Sequence, residues 1–78
     1  MAQIVPIDRV LPRHSKPSTR IMRRVLERQG QIEPLQVTAE GLYYVTFDCD
    51  VHADSIVAAA RELGWNTLLI VVTDVYEN

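Results

Sequence analysis

The apolar positions of this chain follow a short-period pattern, then a helical one, and then repeat both. Gln3-Ile4-Val5-Pro6-Ile7-Asp8-Arg9-Val10 is partly alternating and β-branched, which predicts a strand over residues 3–10. Pro6 has no N–H to donate, so that strand belongs at an edge or a bulge. Pro12 and Pro17 keep the next stretch extended and out of a helix. Ser18 is the expected N-cap of a helix over about 19–29, with Ile21, Met22, Val25, Leu26 and Gln29 forming its inward stripe. Gly30 is its expected left-handed C-cap. Pro34 leads into a strand from Leu35 to Thr38. Glu40-Gly41 marks a hairpin turn, and Leu42 to Phe47 forms the returning strand. A second helix is expected over about 53–63, with Ile56, Val57, Ala60 and Leu63 inward and Gly64 as its stop. The closing segment, Thr67 to Thr73, is dense in Leu, Ile and Val, as in a strand buried on both faces. The predicted order is β-α-β-β-α-β, a single small α+β domain with a mixed sheet over residues 1–78.

Composition narrows this picture. At 78 residues, one core is only marginally sufficient, and the 47% apolar content argues against disorder. The lone Cys49 excludes an intrachain disulfide and fits a reducing compartment. No apolar leader is visible, and the run Leu68 to Val72 is far too short to cross a bilayer. The expectation is a soluble cytoplasmic protein with no membrane partner. The small size and apolar final strand also point to a homodimer that covers a sheet face or edge.

The charge is divided along the chain. Residues 1–30 hold seven bases (Arg9, Arg13, Lys16, Arg20, Arg23, Arg24, Arg28) against Asp8 and Glu27. Residues 31–78 hold Arg61 against eight acids, so the net charge of −2 conceals two opposed halves. Arg20, Arg24 and Arg28 recur every four residues on the helix face opposite the apolar stripe, and Arg23 is placed to pair with Glu27. With Arg9, Arg13 and Lys16 they form a candidate phosphate-docking surface. No aromatic is interleaved, so backbone contact rather than base stacking is expected. The competing reading is a solvated helix face, with the two halves neutralising each other inside one domain.

The acidic stretch Asp48-Cys49-Asp50-Val51-His52-Ala53-Asp54 is the other candidate site. Asp48, Asp50, His52 and Asp54 are chemically able to hold a divalent ion, but no downstream Glu completes a calcium loop. The simpler reading is that Asp50 and Asp54 cap or charge the first turn of the second helix. Cys49 lies between two carboxylates rather than beside cations, so it reads as a buried structural cysteine. Ser15, Ser18 and Ser55 have no evident base, and no catalytic triad is visible. His14 reads as a passive loop residue, and Trp65 as packed on the sheet. Tyr43 and Tyr44 point to opposite faces of one strand.

The order of elements and several phrases resemble the ParB N-terminal domain and the related sulfiredoxins. Val5-Pro6-Ile7-Asp8-Arg9-Val10 is similar to the family's first strand, and Pro12-Arg13 through Pro17-Ser18 to its Pro-rich, Arg-containing link. Val25 through Val37, with Gly30-Gln31-Ile32-Glu33-Pro34-Leu35 at its centre, resembles the phrase at the heart of that fold. Ala58-Ala59-Ala60-Arg61-Glu62-Leu63-Gly64-Trp65 and Leu69 to Val72 are similar to its helix end and closing strand. The resemblance implies a nucleotide site between the third strand and the second helix, where ParB reads Gly-Glu-Arg-Arg and sulfiredoxin Gly-Gly-Cys-His-Arg. This chain has Asp48 to Asp54 there, three carboxylates with neither arginine nor glycine, so the motif is degenerate. The expectation is no CTP or ATP hydrolysis, no resident cofactor and no metal, and a non-catalytic accessory or regulatory module. It would dock DNA phosphates through its basic arm and helix, of the kind that serves plasmid partition or other mobile elements. Two alternatives stand beside it. In one, the loop of Asp48, Cys49, Asp50, His52 and Asp54 binds a basic protein partner. In the other, the same loop serves a divergent metal-dependent nucleotide-binding enzyme.

Overall fold

The computed structural model describes residues 1–14 and 17–73, so Lys16 of the basic arm lies outside the described residues. The elements are β1 (Ala2–Pro6), a 3-10 turn (Ile7–Arg9), β2 (Val10–Leu11), α1 (Arg20–Gln29), β3 (Leu35–Glu40), β4 (Tyr43–Thr46), α2 (Val51–Glu62) and β5 (Thr67–Val72). The strands form one mixed sheet in the order β1-β5-β3-β4-β2. β1 is antiparallel to β5, β5 parallel to β3, β3 antiparallel to β4, and β4 parallel to β2. The α+β class and mixed sheet match the expectation from sequence.

The expected opening strand is divided. Pro6 ends β1 opposite Thr67, and the Ile7 N–H continues that register for one more bond, donating to the Asn66 carbonyl at 2.9 Å before the 3-10 turn. The Arg61 guanidinium clamps the turn by donating to the carbonyls of Ile7 (3.3 Å) and Val10 (2.8 Å). β1 and β2 then lie at opposite edges of the sheet. In a flat sheet those edges would stand about 19 Å apart, at roughly 4.8 Å per strand. The step from Pro6 to Val10 spans at most about 14 Å of extended chain. The sheet therefore curls until its two edges approach each other.

β5 is an interior strand, with β1 on one side and β3 on the other. Leu68 and Ile70 alternate into the core with Leu35 and Val37 of β3 and Val5 of β1. The apolar run is thus accounted for by central position, and not by an edge left for another chain. From the helices, Leu26, Val57, Ala59 and Ala60 close the core, with Trp65 and Tyr44 packed partly against it while Tyr43 is exposed. Each fully buried branched aliphatic contributes about 1.5–3 kcal/mol.

α1 departs from its expected orientation. Leu26 is buried and Met22 partly so, while Ile21 is 76% exposed and Val25 36% exposed. The expected Ser18 cap is replaced by Thr19, whose hydroxyl makes no capping bond and donates instead to Glu62 Oε1 at 2.9 Å. Arg23 joins the same carboxylate at 3.4 Å rather than pairing with Glu27. Both contacts join the Arg23 side of α1 to the end of α2, and Ile21 lies away from them. Gly30 ends the helix at φ 71°, ψ −166°, a conformation that only glycine adopts readily, and its N–H donates to Leu26 O at 2.9 Å.

Candidate functional site

The centre of the candidate site is Asp54, in the first turn of α2. This turn forms where Asp50 caps the helix, its Oδ1 accepting the Ala53 N–H at 2.9 Å. One helical step later, the Asp54 side chain is fully buried against the end of β4. Thr46, the last residue of β4 and itself fully buried, donates its hydroxyl to Asp54 Oδ1. The Arg13 N–H donates to the same oxygen at 3.0 Å and to Thr46 Oγ1 at 2.8 Å. The His14 N–H donates to Asp54 Oδ2 at 3.1 Å, and His14 Nδ1 lies 2.7 Å from that oxygen.

Burial by itself pushes the Asp54 carboxyl up. The hydrogen bonds from the Thr46 hydroxyl, the His14 side chain and the His14 and Arg13 amides more than offset it, and hold the group below its ordinary value of 3.8. The carboxylate is therefore ionised at neutral pH and can only accept, so His14 Nδ1 carries the hydrogen of that bond. The Arg13 side chain completes the knot. Its Nε donates to Thr46 O at 2.9 Å, and the guanidinium pairs with Asp48 (3.1 Å) and Glu40 (3.6 Å). The arrangement turns a buried acid into a fastening point for the arm between β2 and α1.

This sorts the candidate residues of the sequence. Arg13 is spent on the arm's own attachment, while Arg23 and Arg61 are spent on Glu62 and the 3-10 turn. Among the described residues, Arg9, Arg20, Arg24 and Arg28 form no ion pair and are exposed. On the acidic side, Asp48 pairs with Arg13, Asp50 caps α2, Asp54 is buried and His52 is exposed. Asp50 thus takes the capping role expected of it, and Asp54 stands in the first turn of α2 as expected, with its side chain buried against Thr46 rather than exposed. Cys49 is exposed, contrary to the expectation of burial, because it sits in the turn between β4 and α2 rather than on either. Among the described residues no three His, Cys, Asp or Glu side chains are gathered so as to hold a metal ion. No helix there is long and apolar enough to cross a membrane.

Several working residues escaped the sequence reading. The sequence reads His14 as a passive loop residue and places Thr46 within the strand Leu42 to Phe47. Gln31 was only part of a phrase, yet its side-chain amide completes the sheet. Nε2 donates to Leu69 O at 2.7 Å and Oε1 accepts from Leu69 N at 2.9 Å, where β3 has not yet begun. A strand end meeting a helix start through Thr and Asp eight residues apart was a readable hint for Thr46 and Asp54. Nothing local marks His14 or Gln31.

No protein-family model matches the chain, and no curated protein matches it. Among solved structures, it is similar to the C-terminally truncated chromosome-partitioning protein ParB from Caulobacter crescentus complexed with CTP-gamma-S. The TM-score is 0.70 at 15% identity, over 99% of this chain and 46% of that one. The likeness is one of fold, and the fold is ParB-like. This chain spans less than half of the ParB chain it matches.

Proposed function

We propose that this chain is a partition-protein-like module that docks on nucleic-acid phosphates through α1, without catalysis. The observation that carries the reading is the sorting of its arginines. Those that fasten the fold are tied to acids or carbonyls, and the row left without ion pairs among the described residues is Arg20, Arg24 and Arg28. Four-residue spacing on a helix puts these guanidinium groups in a line about 12 Å long. An exposed line of cations of this kind neutralises backbone phosphates without reading bases. Arg9 adds charge from the 3-10 turn, whereas the reach of Arg13 is restricted by Asp48.

The same sorting weighs against the two readings that use the acidic loop. Its carboxylates serve a cap, an ion pair and a buried knot, which leaves little to offer a basic protein or a metal. The ParB neighbour was solved with CTP-gamma-S. Here the segment from β4 to α2 holds Asp48, Asp50 and Asp54, and carboxylates repel a triphosphate. We propose that the nucleotide motif is degenerate in this chain and that nucleotide hydrolysis is absent with it.

The test is fluorescence anisotropy of labelled duplex and single-stranded DNA at about 50 and 200 mM salt. The expected result is micromolar-range binding that weakens with salt and disappears when Arg20, Arg24 and Arg28 are changed together to Glu. Absence of binding at the lower salt, or binding indifferent to the triple change, overturns the reading.

A further inference from the structure

Beside the exposed row of α1, a cleft runs between that helix and the end of α2. It encloses about 340 Å³ and is lined by Arg20, Arg23, Arg24, Glu27 and Leu63. Arg23 and Arg24 follow Arg20 by three and four residues, so the three side chains leave the helix as one cluster rather than as a line. Leu63, the C-cap of α2, is the apolar member of the lining.

The cluster is short of acceptors. Among the described residues, the side chains of Arg20 and Arg24 form neither a hydrogen bond nor an ion pair. Arg23 Nε lies 3.4 Å from Glu62 Oε1, and its guanidinium makes no hydrogen bond among the described residues. Glu62 also accepts the Thr19 hydroxyl at 2.9 Å, so it keeps a partner when Arg23 reaches outward. Glu27 sits one turn beyond Arg23 and Arg24 and forms no ion pair with either. Three guanidinium groups thus face one lining carboxylate. Even with Glu62 set against Arg23, Arg20 and Arg24 outnumber Glu27. Charges of one sign converging on a concavity focus their field there, and a guanidinium fork fills its donors well on phosphate oxygens.

We infer that this cleft seats a phosphate group of the nucleic-acid backbone, held by Arg20, Arg23 and Arg24, with Glu27 marking the limit of the seat. The inference rests on the docking reading above and narrows it. Arg23, which the row of Arg20, Arg24 and Arg28 omits, becomes a contact. Arg28 lines no part of the cleft and supplies only diffuse charge.

The experiment measures the affinity of labelled duplex DNA for the natural chain and a set of single variants, over salt from about 50 to 200 mM. Arg23→Gln and Arg24→Gln are each expected to weaken binding by about fivefold or more at the lower salt, and to reduce the salt slope by about one. Arg28→Gln is expected to weaken it by less than about twofold. Glu62→Gln breaks the Arg23 ion pair from its other side, so it separates contact from positioning; it is expected not to weaken binding. Arg23, Arg24 and Arg28 are exposed, and circular dichroism with thermal unfolding checks that each variant is folded. A loss in Arg28→Gln as large as in Arg24→Gln, no loss in Arg23→Gln, or an equal loss in Glu62→Gln overturns the inference and leaves the docking reading standing. Absence of DNA binding by the natural chain overturns that reading, and the phosphate seat with it.

Discussion

His14 and Asp54, forty residues apart, are joined twice: the His14 N–H and Nδ1 both reach Asp54 Oδ2, at 3.1 and 2.7 Å. The pair closes the arm over the junction of β4 and α2, so one buried carboxylate determines where the chain enters α1. A buried acid is costly unless every lone pair is used, and here Thr46, Arg13 and His14 use them.

Asp54→Asn tests this directly. The amide oxygen still accepts, but the NH2 group then faces a backbone N–H of His14 or Arg13 that cannot accept in return, so that bond is lost. The expected cost is about 2–4 kcal/mol, read from the midpoint of urea unfolding at neutral pH. A change under about 0.5 kcal/mol would show that the knot is dispensable.

The acid limb of the stability profile carries the same signature. Asp54 titrates below 3.8 in the folded protein, so its contribution is complete above that value and is lost as pH falls through the lowered folded value. Unfolding followed from pH 6 to pH 2 is expected to show a stability loss below about 4 that is shallower in Asp54→Asn. Superimposable acid limbs for the two proteins would exclude Asp54 as the group responsible.

Gln31→Leu removes both bonds to Leu69 while keeping an apolar stem. It is expected to destabilise by about 1–3 kcal/mol, because a strand N–H and C=O lose their partner together. Gln31→Glu keeps the acceptor and loses the donor, so thermal unfolding is expected to place it between Leu and the natural residue.

The legibility of this chain was uneven, for a physical reason. β3, the hairpin, β4 and β5 were readable because alternation and turn residues are local properties that the sheet only has to accept. The first strand was misread as one piece. Its alternation crosses Pro6 unbroken, while the turn that divides it is held by Arg61, more than fifty residues away, which bonds the Ile7 and Val10 carbonyls. In the α1 stripe Leu26 is buried and Met22 packs on the core as expected, whereas Ile21 is exposed, on the side of the helix away from the Thr19 and Arg23 bonds to Glu62. Cys49 was misplaced because side-chain type was used where position in a turn decided exposure.

By itself the sequence determined the α+β class, the near-complete order of elements, the helix stops at Gly30 and Gly64, and the division of charge between the two halves. Those follow from periodicity, backbone freedom and composition, which need no partner. Only the tertiary structure decided which charges are spent and which are free. It set Arg13 against Asp48 and Arg23 against Glu62, withdrew Asp54 into the interior, and left Arg20, Arg24 and Arg28 without ion pairs among the described residues. Pairing is a matter of distance in space, and distances across 30 or 40 residues are set by how the sheet curls and how the helices roll upon it.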